Sequence, residues 1–271
     1  MKQKVDTVVA HYREASEQSR LTSLSGQLEF LRTQALIKKY LVAPPAHIID
    51  VGGGAGIYAL WLASEGYTVD LVDLVPKHVE QALAASGNSE HPIRNATVGD
   101  ARKLPQEDQT ADTVLLLGPL YHLLERQHRM RALSEAYRVL KPGGLLFAAC
   151  ISRFSSLLDG LWRRLVKDPE FLPILERDLE DGQHRNTTNN PEYFTDAYLQ
   201  LPDEFENEVK DAGFSMESLS AIEGPAWLLP DLPEWIENAE RKDMLMKLIA
   251  RIENQRSLLG ASAHIMAIAR R

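Results

Sequence analysis

The feature that most constrains the fold is the stretch HIIDVGGGAGIYALWLASEGYTVDLVD, residues 47–73. A short apolar run is followed by a glycine cluster, a helical apolar pattern and a second apolar run that ends in an acid. A helix between two such runs makes the strands parallel, because a crossover returns the chain in the same direction. Glycines in the turn allow left-handed backbone angles and close approach of a ligand. The stretch therefore predicts the nucleotide-binding corner of a parallel α/β sheet.

The alternation of strands and helices continues beyond this unit. Further strands are predicted at IRNATVGD, TADTVLLLG and GGLLFAACIS, which occupy residues 93–100, 110–118 and 143–152. Helical patterns lie between them, and Pro76 opens one of these helices. Two later runs, SMESLSAIEGP and SAHIMAIARR, add a sixth and a seventh strand, with one long helix predicted between them from about Glu234 to Asn254. This rhythm predicts an α/β fold in which helices cover both faces of one sheet.

Two regions depart from this rhythm. The residues before Pro44 show helical apolar patterns only, and the polar loop DGQHRNTTNNPEYF follows two further predicted helices after Ser152. This second region shows no strand signal, and it is too short and too charged to bury a core of its own. We therefore expect an insertion over one end of the sheet. The predicted parts are an N-terminal helical segment over the ligand cleft (1–45), a ligand-binding core (46–152), a helical cap (153–200) and the C-terminal part of the core sheet (201–271).

Composition narrows the class of partner. Acidic residues outnumber basic ones, 38 to 30, for a formal net charge of −8, which disfavours a large surface for nucleic acid. Apolar runs such as TVLLLGPL are far shorter than the ~20 residues that span a bilayer, and the first residues contain no apolar block typical of a signal peptide. The single cysteine, Cys150, excludes a disulfide framework, and its apolar surroundings predict a buried, inert thiol. We expect a cytoplasmic protein that acts on a small molecule, with no nucleic acid or membrane partner.

The glycine pattern alone leaves the ligand open. Gly54-x-Gly56-x-x-Ala59 fits the dinucleotide fingerprint, so a nicotinamide or flavin site is one alternative. Asp50 precedes the first glycine, where a carboxylate would not help a pyrophosphate but would favour a ligand with an ammonium or sulfonium group. Asp73 ends the second strand, where an acid can accept hydrogen bonds from ribose hydroxyls. The acids at the strand ends therefore favour a cationic adenosyl ligand.

Four motifs in order carry a resemblance to a known family. They are Asp50-Val-Gly52-x-Gly54-x-Gly56, Val72-Asp73-Leu74-x-Pro76, Gly99-Asp100-Ala101 and Arg138-Val-Leu-Lys-Pro-Gly-Gly144. This series, over residues 46 to about 152, resembles that of class I S-adenosylmethionine-dependent methyltransferases. The resemblance implies a methyltransferase with S-adenosyl-L-methionine as cofactor and S-adenosyl-L-homocysteine as product. It also implies a Rossmann-like, seven-stranded, mostly parallel sheet whose strand 7 runs antiparallel.

The resemblance also assigns roles to residues. It gives the glycines to the methionine moiety of the cofactor, Asp73 to the ribose, and Asp100 with Ala101 to the adenine. Methyltransferases of this shape often fold an N-terminal segment over the cofactor, and an arginine there suits a carboxylate. The predicted cofactor-binding residues are Tyr12, Arg20, Asp50, Gly52, Gly53, Gly54, Asp73, Leu74, Asp100, Ala101 and Leu117.

The catalytic candidates follow the fourth strand in LGPLYHLLE, residues 117–125. A sulfonium is an activated methyl donor, so orientation of the acceptor dominates, and a general base helps only when the acceptor must lose a proton. Tyr121 and His122 are the predicted catalytic residues, because they can shape the acceptor site and His122 can take a proton. Methyltransferases that act on exocyclic amines of DNA or on protein amides often carry an Asn- or Asp-Pro-Pro-aromatic tetrad here. Its absence disfavours those acceptors.

The acceptor pocket is predicted to involve the cap. Its polar and aromatic side chains, and one tryptophan further along, are the candidates for substrate binding: His184, Asn186, Tyr193, Tyr198 and Trp227. We expect His184, Tyr193 or Tyr198 to face the side of the cleft to which the methyl group points. The histidines show no spacing typical of metal ligands, so no metal is expected. The alternatives that the residues leave open are an NAD(P)-dependent oxidoreductase and a non-catalytic protein that binds an adenosyl ligand.

Overall fold

The computed structural model describes residues 24–188 and 190–271. Tyr12 and Arg20 therefore lie outside the described residues. The helices are α1 (Leu24–Tyr40), α2 (Ile57–Ser64), α3 (Pro76–Gly87), α4 (Pro119–His122), α5 (Arg126–Val139), α6 (Ser155–Trp162), α7 (Leu172–Asp181), α8 (Pro202–Asp211), α9 (Leu232–Glu237), α10 (Ala239–Ile252) and α11 (Arg256–Leu259). The strands are β1 (His47–Val51), β2 (Thr68–Asp73), β3 (Asn95–Val98), β4 (Ala111–Leu116), β5 (Leu140–Ser152), β6 (Gln183–His184), β7 (Ala197–Gln200), β8 (Ser215–Ala221) and β9 (His264–Arg270). None of the helices in the described ranges has the length and apolar character needed to cross a membrane.

The main sheet has seven strands in the order β3-β2-β1-β4-β5-β9-β8. The pairs from β3 to β5 are parallel, whereas β9 is antiparallel to both β5 and β8. This arrangement confirms the predicted α/β, Rossmann-like, mostly parallel sheet, in which the seventh main-sheet strand in chain order, β9, runs antiparallel. Because β1 and β4 lie side by side, the turn after β1 and the segment after β4 meet at the carboxyl edge of the sheet.

Helices cover both faces of this sheet, as predicted. One apolar cluster joins α1, α2 and α3 to one face, and a second joins α5 and α8 to the other. The middle of β5 contributes to both, since Phe147 and Ala149 point to the first cluster while Ala148 and Cys150 point to the second. A strand buried on both faces reads as a continuous apolar run, which explains GGLLFAACIS. Cys150 is fully buried, and burial raises the pKa of its thiol, as expected of an inert cysteine.

Two predictions about secondary structure were wrong. The insertion after β5 contains two short strands: β7 pairs in parallel with the last residues of β5, and β6 pairs with β7. Strands of two and four residues are too short to give a periodic signal. They form because β5 extends past its pairing with β4, and β7 pairs with this extension. The long helix predicted from Glu234 to Asn254 is divided into α9 and α10. Asn238 separates them, because its extended backbone ends one helix and its side chain accepts a hydrogen bond from Arg241 N to begin the next.

A buried guanidinium fastens the insertion and the segment after β4 to the core. Arg129, in α5, is only 2% exposed. It donates to the carbonyl oxygens of Leu123 and Leu124 at 2.9 Å each, and to both carboxylate oxygens of Glu208 at 2.7 and 2.9 Å. Its guanidinium also lies 3.9 Å from the ring centroid of Tyr198, in β7 of the insertion. One side chain therefore connects three elements around the carboxyl edge.

Replacement of this arginine tests how much the fold depends on it. We expect Arg129→Met to lower the free energy of unfolding by about 3–5 kcal/mol, because Glu208 would keep a buried charge with its strongest partner removed. Arg131→Met is the matched control, since Arg131 is exposed on the same helix and should cost less than about 1 kcal/mol. Urea denaturation of both variants gives the two values. Equal stabilities of the two variants would contradict the proposed role of Arg129.

Candidate active site

The glycine turn lies between β1 and α2, at the carboxyl edge. Gly52 has φ +70°, and its N–H donates to Val72 O at 2.7 Å, which ties the turn to β2. A Cβ at Gly52 would lie 2.5 Å from Cγ of Pro119, in the segment after β4. A Cβ at Gly53 would lie 2.6 Å from Oδ2 of Asp50. Glycine is therefore needed because the turn is packed against the neighbouring segment and against a buried acid.

Asp50 is a buried carboxylate without full compensation. It is 1% exposed, and no described residue forms a hydrogen bond with its Oδ2. Burial and the nearby charge of Asp73 raise the pKa of Asp50 to about 7, against a smaller lowering by the Ala59 backbone. A buried carboxylate is costly unless a donor or a positive charge meets it. This site therefore fits a ligand that brings an ammonium or sulfonium group to the turn.

Asp73 bridges the turn and the end of β2. Its Oδ2 accepts a hydrogen bond from Gly54 N at 2.9 Å, and its Oδ1 accepts one from Val75 N at 2.8 Å. Nδ1 of His78 lies 3.1 Å from the same Oδ1. A carboxylate has about four acceptor positions, so Asp73 is fixed in place and still has capacity for a hydroxyl donor. The adjoining Leu74 is half-buried.

Asp100 and Ala101 lie beside this acid, because Gly99 N donates to Asp73 O at 2.9 Å. Arg102 holds the Asp100 carboxylate through its backbone N–H at 2.9 Å and its guanidinium at 2.5 Å. Burial alone would raise the pKa of Asp100, but hydrogen bonds and charge from Arg102 outweigh it, so that this pKa lies below its usual value. Asp100 is therefore an ionised acceptor at neutral pH. The structure thus brings together the predicted cofactor residues from Asp50 to Ala101.

The segment after β4 forms the next part of the edge. A Cβ at Gly118 would lie 3.4 Å from Gly52 O and 3.6 Å from Oη of Tyr121, so the predicted catalytic tyrosine adjoins the glycine turn. The rings of Tyr121 and His122 are 4.6 Å apart, edge to face. The ring of Phe194, from the insertion, lies 6.3 Å from that of His122. Three rings from two parts of the chain therefore line one side of the edge. Leu117, just before them, packs partly buried against the α1–α3 side of the sheet.

The other side chains predicted to bind the acceptor make contacts within the insertion or the core. His184 is buried, with Nδ1 2.8 Å from Asp178 Oδ2 and Nε2 2.6 Å from Tyr193 O. The hydroxyl of Tyr193 donates to Asp168 at 2.5 Å. These bonds fix the shape of the insertion, and acceptor binding by His184 and Tyr193 stays a prediction.

Three further candidates also have defined partners. Asn186 donates to Phe194 O at 2.8 Å, and Tyr198 packs against Arg129. Trp227 donates to Ala261 O at 3.0 Å and packs in the cluster of α1, α9 and α10. Their role in acceptor binding is also untested.

Two features of the edge were not found from the sequence. Phe194 has φ +66° and ψ 176°, which L-residues rarely adopt, and no pattern in the polar loop marks this residue. Glu29, Glu223 and His264 meet with one oxygen or nitrogen atom each within 4.8 Å of the others. They come from α1, the end of β8 and the start of β9, so sequence spacing carries no signal of their meeting. The expectation that no metal binds stays a prediction.

Comparison with known proteins identifies the family. The profile of a family described as "Methyltransferase domain" matches residues 49–148. The chain is 30% identical over 207 residues to the ubiquinone/menaquinone biosynthesis C-methyltransferase UbiE of Zymomonas mobilis. This alignment covers 71% of this chain and 76% of that protein. It is 37% identical over 109 residues to the demethylmenaquinone methyltransferase of Streptomyces avermitilis, and this match covers 40% of the chain and only 44% of that relative.

The fold has solved counterparts as well. A SAM-dependent methyltransferase from Methanosarcina mazei superimposes with a TM-score of 0.60 at 20% identity, over 87% of this chain and 96% of the other. The fold is thus that of a Rossmann-like α/β protein. The chain belongs to the class I S-adenosylmethionine-dependent methyltransferases. The chain is therefore an enzyme with S-adenosylmethionine as its cofactor, which decides against the nicotinamide and the non-catalytic alternatives.

The turn gives a steric prediction with a matched control. Gly52 and Gly143 have similar φ values, +70° and +78°, but a Cβ at Gly143 would have nothing within 4 Å. Gly143→Ala should therefore cost only the backbone strain of about 1–2 kcal/mol and leave cofactor affinity unchanged. Gly52→Ala should add a clash with Pro119, displace Tyr121 and weaken cofactor binding at least tenfold. Calorimetric titration with S-adenosylhomocysteine measures this difference, and equal affinities for the two variants would refute the packing argument.

Asp50 gives a prediction about pH. Its carboxyl must be ionised to oppose a cation, so cofactor affinity should fall as pH drops below about 7, by up to about tenfold per unit. Asp50→Asn should remove this dependence and bind more weakly at pH 8. Without cofactor, the raised pKa means that the folded protein holds an extra proton and loses stability as pH rises from about 4 to about 7. The unliganded Asn variant should therefore melt at a higher temperature than the parent at pH 8.

The exposed Asp108→Asn serves as the control for this pair of measurements, because its side chain is 70% exposed. It should keep the parent's pH dependence in both binding and melting. A parent protein that binds the cofactor equally at pH 6 and pH 8 would contradict the role given to Asp50.

Proposed function

We propose that this methyltransferase acts on a small acceptor with a hydroxylated aromatic ring, such as a hydroquinone or a phenol. The observation that carries the proposal is the group of rings at the carboxyl edge, Tyr121, His122 and Phe194, directly beside the glycine turn. Aromatic side chains favour stacked or edge-on contacts with a flat ring. The names of two relatives agree with this class: a demethylmenaquinone methyltransferase, and a 2-methyl-6-phytyl-1,4-hydroquinone methyltransferase from Arabidopsis thaliana.

The proposed cofactor site divides the ligand among four positions. Asp50 faces the positive end, Gly52–Gly54 provide space for the methionine moiety, Asp73 accepts from the ribose hydroxyls, and Asp100 with Ala101 meets the adenine. When bound, the sulfonium supplies an activated methyl group, whose bonding pair returns to sulfur on transfer. The protein has to orient the acceptor and exclude water. In this proposal the core, residues 46–152, holds the cofactor, and the cap, residues 153–200, closes over the acceptor.

Within this arrangement, Tyr121 and His122 are proposed to contact the acceptor. Tyr121 adjoins the turn, and Phe194, Ala197 and Leu199 of the insertion pack with it and with Ile151 of β5 in a small apolar cluster. We further propose that the enzyme works in the cytoplasm on a free small molecule, with no nucleic acid or membrane partner. The net charge of −8 supports the absence of a nucleic-acid partner.

The experiment that tests the function combines binding and transfer. Calorimetry should show binding of S-adenosylmethionine and S-adenosylhomocysteine but not of NAD or NADP. The enzyme is then incubated with isotopically labelled S-adenosylmethionine and separate panels of hydroquinones, phenols, amines and carboxylic acids. We expect label in the hydroxylated aromatic panels. Transfer only to amines or carboxylic acids would reject the acceptor class while retaining the enzyme class.

Asp73 provides the site-specific arm of the test. Loss of one charge-assisted hydrogen bond of about 1.5–3 kcal/mol should weaken cofactor binding about ten- to several-hundred-fold in Asp73→Ala, and loss of two should weaken it further. Asp73→Asn removes the charge at nearly constant size, but its single amide oxygen can accept from Gly54 N or from Val75 N and not from both, so its melting temperature is measured alongside its affinity. Asp243→Ala, which is 65% exposed, is the control. An Asp73→Ala variant that binds as tightly as the parent would show that the ribose assignment is wrong.

A further inference from the structure

A buried hydrogen-bond chain orients a histidine at the start of β9. Glu223 and Ser262 are 2% and 0% exposed. Oε1 of Glu223 lies 2.7 Å from Nδ1 of His264, while Oε2 accepts from Ser262 Oγ at 2.8 Å and from His264 N at 3.0 Å. Ser262 Oγ in turn accepts from the N–H groups of Glu223 and Gly224 at 3.1 and 3.0 Å. The carboxylate is therefore held by three donors.

This chain determines which nitrogen of His264 can accept a proton. A carboxylate only accepts hydrogen bonds, so Nδ1 of His264 must carry the hydrogen that points to Glu223. The neutral ring then has its lone pair on Nε2. A carboxylate behind Nδ1 also stabilises the imidazolium that forms when Nε2 takes a proton. The arrangement is that of a carboxylate-oriented general base.

The strand register puts this histidine on the side of the sheet that holds the proposed acceptor site. His264 pairs with Ile151, and paired residues point to the same face. Ile151 belongs to the apolar cluster of Tyr121, and Tyr121 adjoins Gly118 and the glycine turn. Tyr121, Ile151 and His264 thus follow one another along the carboxyl edge.

Helix α1 covers the same region from the face of the sheet to which Phe147 and Ala149 point. The ring of Phe30 lies 5.3 Å from that of Tyr58, near the glycine turn. Two residues further along, Nε of Arg32 donates to Ile222 O at 2.9 Å, next to Glu223. Glu29, which precedes Phe30, comes within 4.8 Å of the Glu223–His264 pair. The helix therefore reaches from the cofactor side of the edge to the histidine.

A metal ion accounts for this geometry less well. Metal ligands need oxygen and nitrogen lone pairs directed at one point. Both oxygens of Glu223 already accept hydrogen bonds, and Nδ1 of His264 donates to one of them. With three hydrogen bonds accepted, Glu223 keeps about one acceptor position for a metal, whereas a proton on Nε2 needs no further ligand from Glu223.

We propose that His264, positioned by Glu223, is the general base that takes the proton of the acceptor's ring hydroxyl. The proposal rests on the proposed function, since it needs a hydroxylated acceptor. The proton moves from oxygen to Nε2, and the electron pair of the O–H bond stays on the acceptor. The resulting negative charge makes the acceptor nucleophilic, and the acceptor becomes neutral when its electron pair forms the bond to the methyl carbon. The charged groups that the described residues place around His264 are Glu223, Glu29 and the Arg32–Glu253 ion pair.

The first test uses variants of the full-length protein with the acceptor found in the panel assay. His264→Gln should lower kcat about 100- to 10,000-fold, the usual contribution of general base catalysis. In the parent, kcat/KM should fall as pH is lowered and the base becomes protonated, and this limb should be lost in His264→Gln. Glu223→Gln should lower kcat less and change the pH profile, as expected of a positioning residue. Cofactor affinity should change less than about threefold in both.

Two further histidines serve as comparisons. His91→Gln, on an exposed loop, should leave the rate and the pH profile unchanged. His122→Gln should retain the pH-dependent limb even where its rate falls, because the proposal assigns proton removal to His264. A kcat of His264→Gln within threefold of the parent, an unaltered limb, or an effect on KM alone would overturn the proposal.

The second test uses the parent protein, so it does not depend on whether a variant folds. The complex with S-adenosylhomocysteine is titrated with 4-nitrophenol, whose phenolate absorbs visible light. The bound probe should ionise at a lower pH than the free probe, since Nε2 takes its proton. No difference in absorbance, whether the probe fails to bind or binds as the neutral phenol, overturns the proposal. Because no methyl transfer is measured, this result is independent of the panel assay that tests the proposed function.

Discussion

The buried ion pair of Arg129 and Glu208 is the interaction on which the geometry of the edge depends. A parallel sheet fixes where strands end but not the course of the segments beyond them. Arg129 holds the segment after β4 by two carbonyl oxygens, while Glu208 brings in α8 and Tyr198 brings in the insertion. A guanidinium has five donors in a planar fork, so it can satisfy several carbonyl and carboxylate oxygens at once. Hydrophobic residues of equal volume could fill this space but could not direct the loops.

Asp50 represents the opposite case, in which an interaction is left incomplete. Its buried Oδ2 has no partner among the described residues, and its pKa of about 7 records the cost of placing a charge there. The glycine turn excludes side chains that would satisfy it, because a Cβ at Gly53 would lie only 2.6 Å away. A positively charged ligand is the group that can compensate this carboxylate. The positive charge of the cofactor therefore contributes to the free energy of binding by stabilising a buried carboxylate that the unliganded protein leaves uncompensated.

The sequence predicted the sheet and the cofactor edge well because both depend on local patterns. The run from His47 to Asp73 contains strand, turn, helix and strand within one crossover, and the acids lie at strand ends that chain order alone defines. The insertion was predicted less well. Its strand β7 exists because the end of β5 extends beyond its pairing with β4, which stops at Ala148, and such an extension depends on tertiary structure. Phe194 and the meeting of Glu29 with His264 also depend on contacts between distant segments, for which composition and periodicity provide no evidence.

The reversed direction of β9 explains how a residue near the end of the chain reaches this edge. In a parallel strand the first residue lies at the amino edge, far from the turns that bind ligands. Because β9 runs antiparallel to β5, its first residue, His264, lies beside Ile151 at the carboxyl edge. Glu223 follows the end of β8, and Ser262 precedes the start of β9. The hydrogen bonds between these two residues and His264 therefore fix the imidazole at the point where β8 and β9 adjoin. The strand that departs from the parallel pattern is thus the one that can add a proton acceptor to an edge otherwise built from strand ends and turns.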